Sequence, residues 1–297
     1  SDVDAAQVDE SMTWPYTVGL GEMMNFPGIL GGEENAQHEV GETLKAGKCV
    51  TGHYSISETD RGLNAYIASG VRACHECITA DDVMAKLRMG MYVQARYGSA
   101  WLSLPNYLPQ VLESGVDTRL IILCTDDNHP NTLVNEGGMD RALRAVLGCG
   151  CDPVTALQFA TINAAQCLGV DQDMGSITPG KCADMVILPD LESFVPEQVY
   201  IDGDLVAQGG KATFDHELFE WPDFMTHTMN VGRTFTAADF EIPVDRPDGM
   251  CRVRAIGGVG GSTITEDAVI EVPVVNGKLQ ANPAIDALKM AVFDRHH

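Results

Sequence analysis

Four residues of this chain, Glu22, His53, His75 and Asp126, each follow a short, mostly apolar run, and each side chain can bind a cation. The pattern is clearest at Leu120-Ile-Ile-Leu-Cys-Thr-Asp126, where four large apolar residues lead into Asp126 and Asp127, with His129 just beyond. Such a run suits a strand buried on both faces of a parallel sheet. The C-terminal end of a strand of that kind is where α/β enzymes keep their chemistry. Taken singly, each residue has a plainer explanation: an Asp before a helix accepts backbone N–H groups, and a strand-end His often serves only as a hydrogen-bonding group. Four in register are hard to explain as capping. Carboxylate oxygens and imidazole nitrogens together suit a divalent Zn, Mn or Fe ion. A carboxylate such as Glu22 can bridge two ions. Water held there loses a proton near neutral pH, and Asp126 beside it can accept that proton and pass it to a leaving group.

The elements that must position these residues follow in order. Short strands are expected at residues 16–21, 48–52, 70–74, 91–96 and 120–124, the first delivering Glu22, the second His53, the third His75 and Glu76. Helices are expected at 33–46, 58–69 and 80–90, the last capped by Thr79 with Asp81 and Asp82 in its first turn. Residues 97–114 read as helical or irregular, 136–148 as a helix, and 154–168 as another with Asp152 at its N-cap and Pro153 at its first position. Strands alternating with helices every 20–30 residues or so imply βα units and a parallel sheet. Past residue 174 the texture changes to a turn and a strand, then a hairpin over 199–207 with Asp202-Gly203 at its tip. Beyond 212 short strands, Pro and Gly dominate, and the next helix is expected only at 284–290. Three segments result, 1–174, 175–212 and 213–297, with no internal repeat.

Composition narrows the partners. The 297 residues carry 42 acidic against 19 basic side chains, a net charge of −23, which repels phosphate backbones and anionic lipid. Nucleic acid and membrane surfaces are therefore not expected, and no apolar run approaches the length of a membrane span. Nine scattered Cys residues, mostly inside apolar runs, fit buried thiols in a reducing cytoplasm better than a disulfide framework. Cys74 and Cys77 have the spacing of half a zinc site, but no second pair accompanies them. The chain starts Ser-Asp-Val-Asp without Met and stops just after an apolar stretch, so both ends are expected to be cut.

The ligand order resembles that of the amidohydrolase superfamily, metal-dependent hydrolases on a (β/α)8 TIM-type barrel with a small β-sandwich beside it. Gly19-Leu-Gly-Glu-Met-Met-Asn-Phe-Pro-Gly28, Thr51-Gly-His53, His75-Glu-Cys77 and Cys124-Thr-Asp-Asp127 resemble the adenine deaminase family, and Asp152-Pro-Val-Thr-Ala-Leu157 and Gly175–Asp184 also fit. The resemblance implies that Glu22 is the bridging ligand of strand 4, where relatives use a carboxylated lysine. It implies His53 on strand 5, His75 on strand 6, and Asp126 as strand-8 ligand and proton shuttle, chosen over Asp127 because it comes first after the strand. Asp127, His129 and Glu76 are then candidates to contact the ligands or the substrate, Glu76 with a solvated or capping role as its alternative. The superfamily's His-x-His of strand 1 has no counterpart here, so only strands 4–8 are expected, with about 90–100 residues missing at roughly 30 per βα unit. The implied reaction is hydrolysis of adenine to hypoxanthine and ammonia at a binuclear Mn or Fe (or Zn) centre, in a homo-oligomer acting on a small purine. The alternatives are an amidohydrolase acting on another aminopurine or a cyclic amide, and a catalytically incomplete piece.

Overall fold

A computed structural model describes residues 3–215, 218–259 and 265–295, which belong to two compact units, 1–214 and 215–297. In the first unit, α1 (Ala5–Met12), β1 (Gly19–Met23), α2 (Phe26–Gly31), α3 (Glu34–Lys45), β2 (Cys49–Gly52), α4 (Arg61–Ala68) and β3 (Ala73–Cys74) come first. They are followed by α5 (Ala80–Arg88), β4 (Tyr92–Arg96), α6 (Leu104–Glu113) and β5 (Ile121–Cys124). The five strands pair in parallel and in chain order, with β1 and β5 at the edges. The α/β class and the parallel sheet expected from the alternating pattern are therefore present.

Period-2 alternation divides the sheet into two faces. Val50, Cys74, Val93, Ala95, Ile121 and Leu123 point toward the helices and are buried among Ile29, Val40, Leu63, Leu104, Leu108 and their neighbours. Cys49, Ala73, Tyr92 and Ile122 point the other way, into a smaller cluster with Cys167. Counting on by twos from those four residues reaches His53, His75, Arg96 and Asp126. The polar strand ends thus lie in phase with the face that the outer helices leave uncovered.

After β5 the chain forms α7 (Pro130–Asn135), α8 (Met139–Gly148), α9 (Pro153–Ala160) and α10 (Ile162–Leu168). Two expectations need correction here. The helix read at 136–148 begins only at Met139, because Gly137 takes a φ of +108° and Asp140 accepts the Gly138 N–H. The helix read across 154–168 breaks at Thr161, where φ is −126° and ψ is −94°. The Thr161 hydroxyl turns back to the Leu157 carbonyl at 2.6 Å, a local bond that competes with the helical ladder. Asp152 does cap α9, accepting from Val154 N and Thr155 N.

The unit ends in an antiparallel sheet of β6 (Met185–Ile187), β7 (Gln198–Ile201), β8 (Asp204–Gln208) and β9 (Lys211–Ala212). Asp202 and Gly203 have φ of +50° and +88°, the twist a two-residue hairpin turn requires. The second unit holds α11 (Asp223–Thr226) and an antiparallel sheet ordered β10 (Ile242–Pro243), β13 (Lys278–Leu279), β12 (Thr265–Val275), β11 (Gly249–Gly258). The helix expected at 284–290 is absent: only a 3-10 turn, Pro283–Ile285, forms, and Asp286 at φ +55° ends it. Leu288 and Met290 remain exposed, so an amphipathic helix there would have no apolar face to bury. Among the described residues no helix is long and apolar enough to cross a membrane.

Candidate metal centre

A bulge in β1 brings Glu22 into the site. Leu20 pairs with Val50 and Met23 with Gly52, so β1 spends one residue more than β2 over this interval. That extra residue lets both Leu20 and Met23 pack toward the helices, and it turns Glu22 to the opposite face. The second ligand position depends on Tyr66 of α4, whose buried hydroxyl donates to Met23 O at 2.6 Å and accepts the His53 N–H at 3.1 Å. One phenol therefore ties the end of β1 to the residue after β2. Gly52 makes this possible, because a Cβ there would lie 2.4 Å from the Tyr66 oxygen.

Three donors meet as a result. Glu22 Oε2 lies 3.1 Å from His53 Nδ1 and 2.8 Å from His75 Nε2, and the two ring nitrogens are 3.1 Å apart. Burial pushes the His75 imidazole below its ordinary pKa, with Glu22 and Asp126 opposing that shift. The neutral ring, which alone has a lone pair to offer, is thereby favoured.

The neighbouring half is built differently. Glu76 and Asp126 both accept from Nη1 of the buried Arg96 at the end of β4, Asp126 Oδ2 at 2.5 Å. Asp126 Oδ2 is 4.0 Å from His75 Nε2, and Glu76 Oε1 is 3.9 Å from it. His75 thus belongs to both groups, Glu22–His53–His75 and His75–Glu76–Asp126. Burial would raise the Asp126 carboxyl, but the hydrogen bond and charge of Arg96 overcome this and hold it below the usual carboxylate range. Asp126 is therefore an acceptor at neutral pH. Its backbone has φ +55°, a conformation that Asp tolerates better than most residues and that recurs at functional sites.

The side chains of Asp127 and His129 stand apart from this cluster. Asp127 is exposed and gives its N–H to Asp126 Oδ1 at 2.8 Å. His129 is exposed too and precedes α7, its N–H on Ser99 Oγ. Glu76 is buried beside the histidines rather than solvated. Cys74 points to the helix side, where its sulfur accepts the Tyr54 N–H at 3.2 Å. Sequence reasoning missed Arg96, Tyr66 and Lys86. Lys86 is fully buried, and its Nζ holds the Glu76 carbonyl at 2.8 Å and Asp82 at 2.7 Å. Arg96 had one signal, a lone positive charge ending an apolar strand. Lys86 lies four residues after Asp82, a spacing that exposed helical ion pairs share, so it carries no signal of burial.

The donor set fits a divalent cation. Bonds of about 2.1 Å place neighbouring ligands roughly 3.0–3.4 Å apart at angles between 90° and tetrahedral, close to the spacing of the three donors. Glu22, Glu76 and Asp126 supply three negative charges against the single guanidinium.

Among known families, residues 106–206 match the amidohydrolase family. The chain is 45% identical over 295 residues to an adenine deaminase of Clostridium botulinum, covering 99% of this chain and 49% of that protein. An adenine deaminase of Paracoccus denitrificans is 39% identical over the same shares of each chain. This chain is therefore similar to adenine deaminases over nearly all of its own length, and it spans about half the length of the curated relatives it matches. Among solved structures, a putative prolidase from Bifidobacterium longum aligns at 18% identity and a TM-score of 0.47, over 71% of this chain and 61% of that one.

Proposed function

We propose that this chain carries the strand 4–8 part of a (β/α)8 barrel, in residues 1–174, and takes part in hydrolytic deamination of adenine to hypoxanthine and ammonia. Residues 175–212 then form the adjoining β-sandwich segment, and 213–297 begin a β-rich domain. The observation that carries the reading is the meeting of Glu22, His53 and His75 within 3.1 Å of one another, in a chain alike throughout to adenine deaminases.

Glu22, His53, His75 and Asp126 would hold the divalent metal in this reading, a binuclear centre of Mn, Fe or Zn. A cation bound there supplies the positive charge that lets water lose a proton near neutral pH. Asp126 then does the proton work. Ionised and fixed by Arg96, it accepts the proton of the attacking water at Oδ2 and returns it to the amine leaving C6 of the purine. The balance is adenine plus water in, hypoxanthine plus ammonia out.

Incubation of the Mn2+-loaded chain with adenine tests this, with hypoxanthine and ammonia expected in equal amounts. Because the chain spans half of its relatives, a second reading keeps the cation site but not the turnover. Bound Mn2+ without adenine loss supports that second reading. A chain that binds no Mn2+ overturns both.

A further inference from the structure

Strand β4 contributes no expected ligand, yet it braces the site. Arg96 reaches Glu76 and Asp126 with the same nitrogen, Nη1. Its Nε is buried without an acceptor among the described residues, so the two carboxylates, rather than full satisfaction of its own donors, set its position. Glu76 is itself fixed twice, by Arg96 at its carboxylate and by Lys86 at its carbonyl. Its Oε1, the atom 3.9 Å from His75 and 4.0 Å from His53, is the same atom that Arg96 engages. The segment after β4 also holds the backbone around Asp126. Ser99 donates to Asp127 O at 3.1 Å and accepts from His129 N at 2.8 Å. A Cβ on Gly98 would lie 2.4 Å from Thr125 O and 2.7 Å from Asp127 O, so the two loops are in backbone contact.

We propose that Arg96 is a positioning residue: braced by Glu76, its guanidinium orients the Asp126 carboxylate beside His75, and Glu76 is the counter-ion of Arg96 rather than a further ligand. The inference deepens the metal-centre reading above and rests on it. Its series order, Glu76 to Arg96 to Asp126 to cation, distinguishes it from a set of independent ligands.

The test is a Co2+ titration of the chain, followed by visible d–d absorption, for wild type, Arg96→Gln, Glu76→Gln and the double variant. Groups that orient ligands cost about 10–100-fold in metal affinity when removed, and Arg96→Gln is expected in that range. Glu76→Gln should cost no more and leave the band positions unchanged. Acting in series, the two changes together should weaken Co2+ no more than Arg96→Gln alone. Where Arg96→Gln takes the guanidinium away from the buried Glu76 carboxylate and the variant fails to fold, the double variant removes both charges, and its affinity is then read against Glu76→Gln and wild type. A double variant within 100-fold of wild type, with unshifted bands, supports the series order. Losses that multiply, or Glu76→Gln bands that shift as those of His75→Asn do, make Glu76 a ligand and overturn the proposal. Unchanged affinity in Arg96→Gln overturns it as well. A wild-type chain that takes up no Co2+ overturns the metal reading itself, an outcome distinct from binding with additive losses.

Discussion

Around His75 two groups of donors meet in opposite ways. On the β1–β2 side Glu22, His53 and His75 face one another at 2.8–3.1 Å, with no Lys or Arg among the described residues paired to them. On the β4–β5 side Glu76 and Asp126 face the same guanidinium, and neither carboxylate approaches His75 closer than 3.9 Å. The first half is arranged for a positive charge that no described side chain supplies. The second half already has one. A cation is therefore expected to centre on the Glu22 side, with Asp126 turned toward it from a position that Arg96 defines.

Removing the shared residue breaks the comparison hardest. His75→Asn takes a donor from both groups, and metal affinity is expected to fall by more than the roughly 100-fold upper range for a merely orienting group. Metal-to-protein ratios after dialysis against Mn2+ measure this. Retention of a full complement of metal would mean that the two halves do not share a centre.

Asp126→Asn comes next. It keeps one oxygen donor and the shape of the side chain but cannot accept a proton. In a protein that carries the missing strands as well, the proposed deamination should fall by at least about two orders of magnitude, the usual contribution of positioned acid–base groups, while metal content falls less. Equal loss of both would mean that Asp126 matters as a ligand and not as the proton carrier.

The sequence made one half of this comparison legible and hid the other. Glu22, His53 and His75 could be picked out because each ends a strand, and period 2 carries both histidines to the same face as Asp126. The bulge that aims Glu22 has no marker beyond Gly21 before it. Arg96 and Lys86 were not seen because basic side chains are rarely fully buried, and only tertiary contact reveals their partners. The parallel sheet followed from the βα alternation, whereas the break at Thr161 and the missing helix at 284–290 did not. Both are decided locally, by one hydroxyl bond and by the absence of an apolar surface to cover.

Acidity should sharpen the contrast in the metal-free chain. The folded-state pKa of His75 lies below its ordinary value, so as pH falls through about 6.5 the unfolded chain takes the proton first and stability drops. Asp126 is depressed by Arg96, so its contribution is present above about 3.9 and is lost as pH falls through its folded pKa. Thermal midpoints in chelator should therefore fall in two steps, the first absent from His75→Asn and the second reduced in Asp126→Asn. A single step shared by all three proteins would deny the two halves their separate electrostatics.

The smallest effect is expected at Asp127, and it decides between neighbours. Asp127 follows Asp126 directly and carries the same carboxylate, yet its side chain is exposed, and the residue serves the site through its backbone. Its N–H fixes Asp126 Oδ1 at 2.8 Å, and its carbonyl receives Ser99 N at 3.1 Å. Both bonds survive a change of side chain. Asp127→Asn should therefore leave metal content unchanged and alter the rate by no more than a few-fold, well short of the two orders of magnitude expected at Asp126. Initial rates of adenine loss and metal ratios on the same samples compare the two. If Asp127→Asn is the inactive protein and Asp126→Asn retains both metal and rate, the left-handed turn at Asp126 presents the wrong carboxylate. Arg96 would then be holding a structural ion pair instead of the proton carrier.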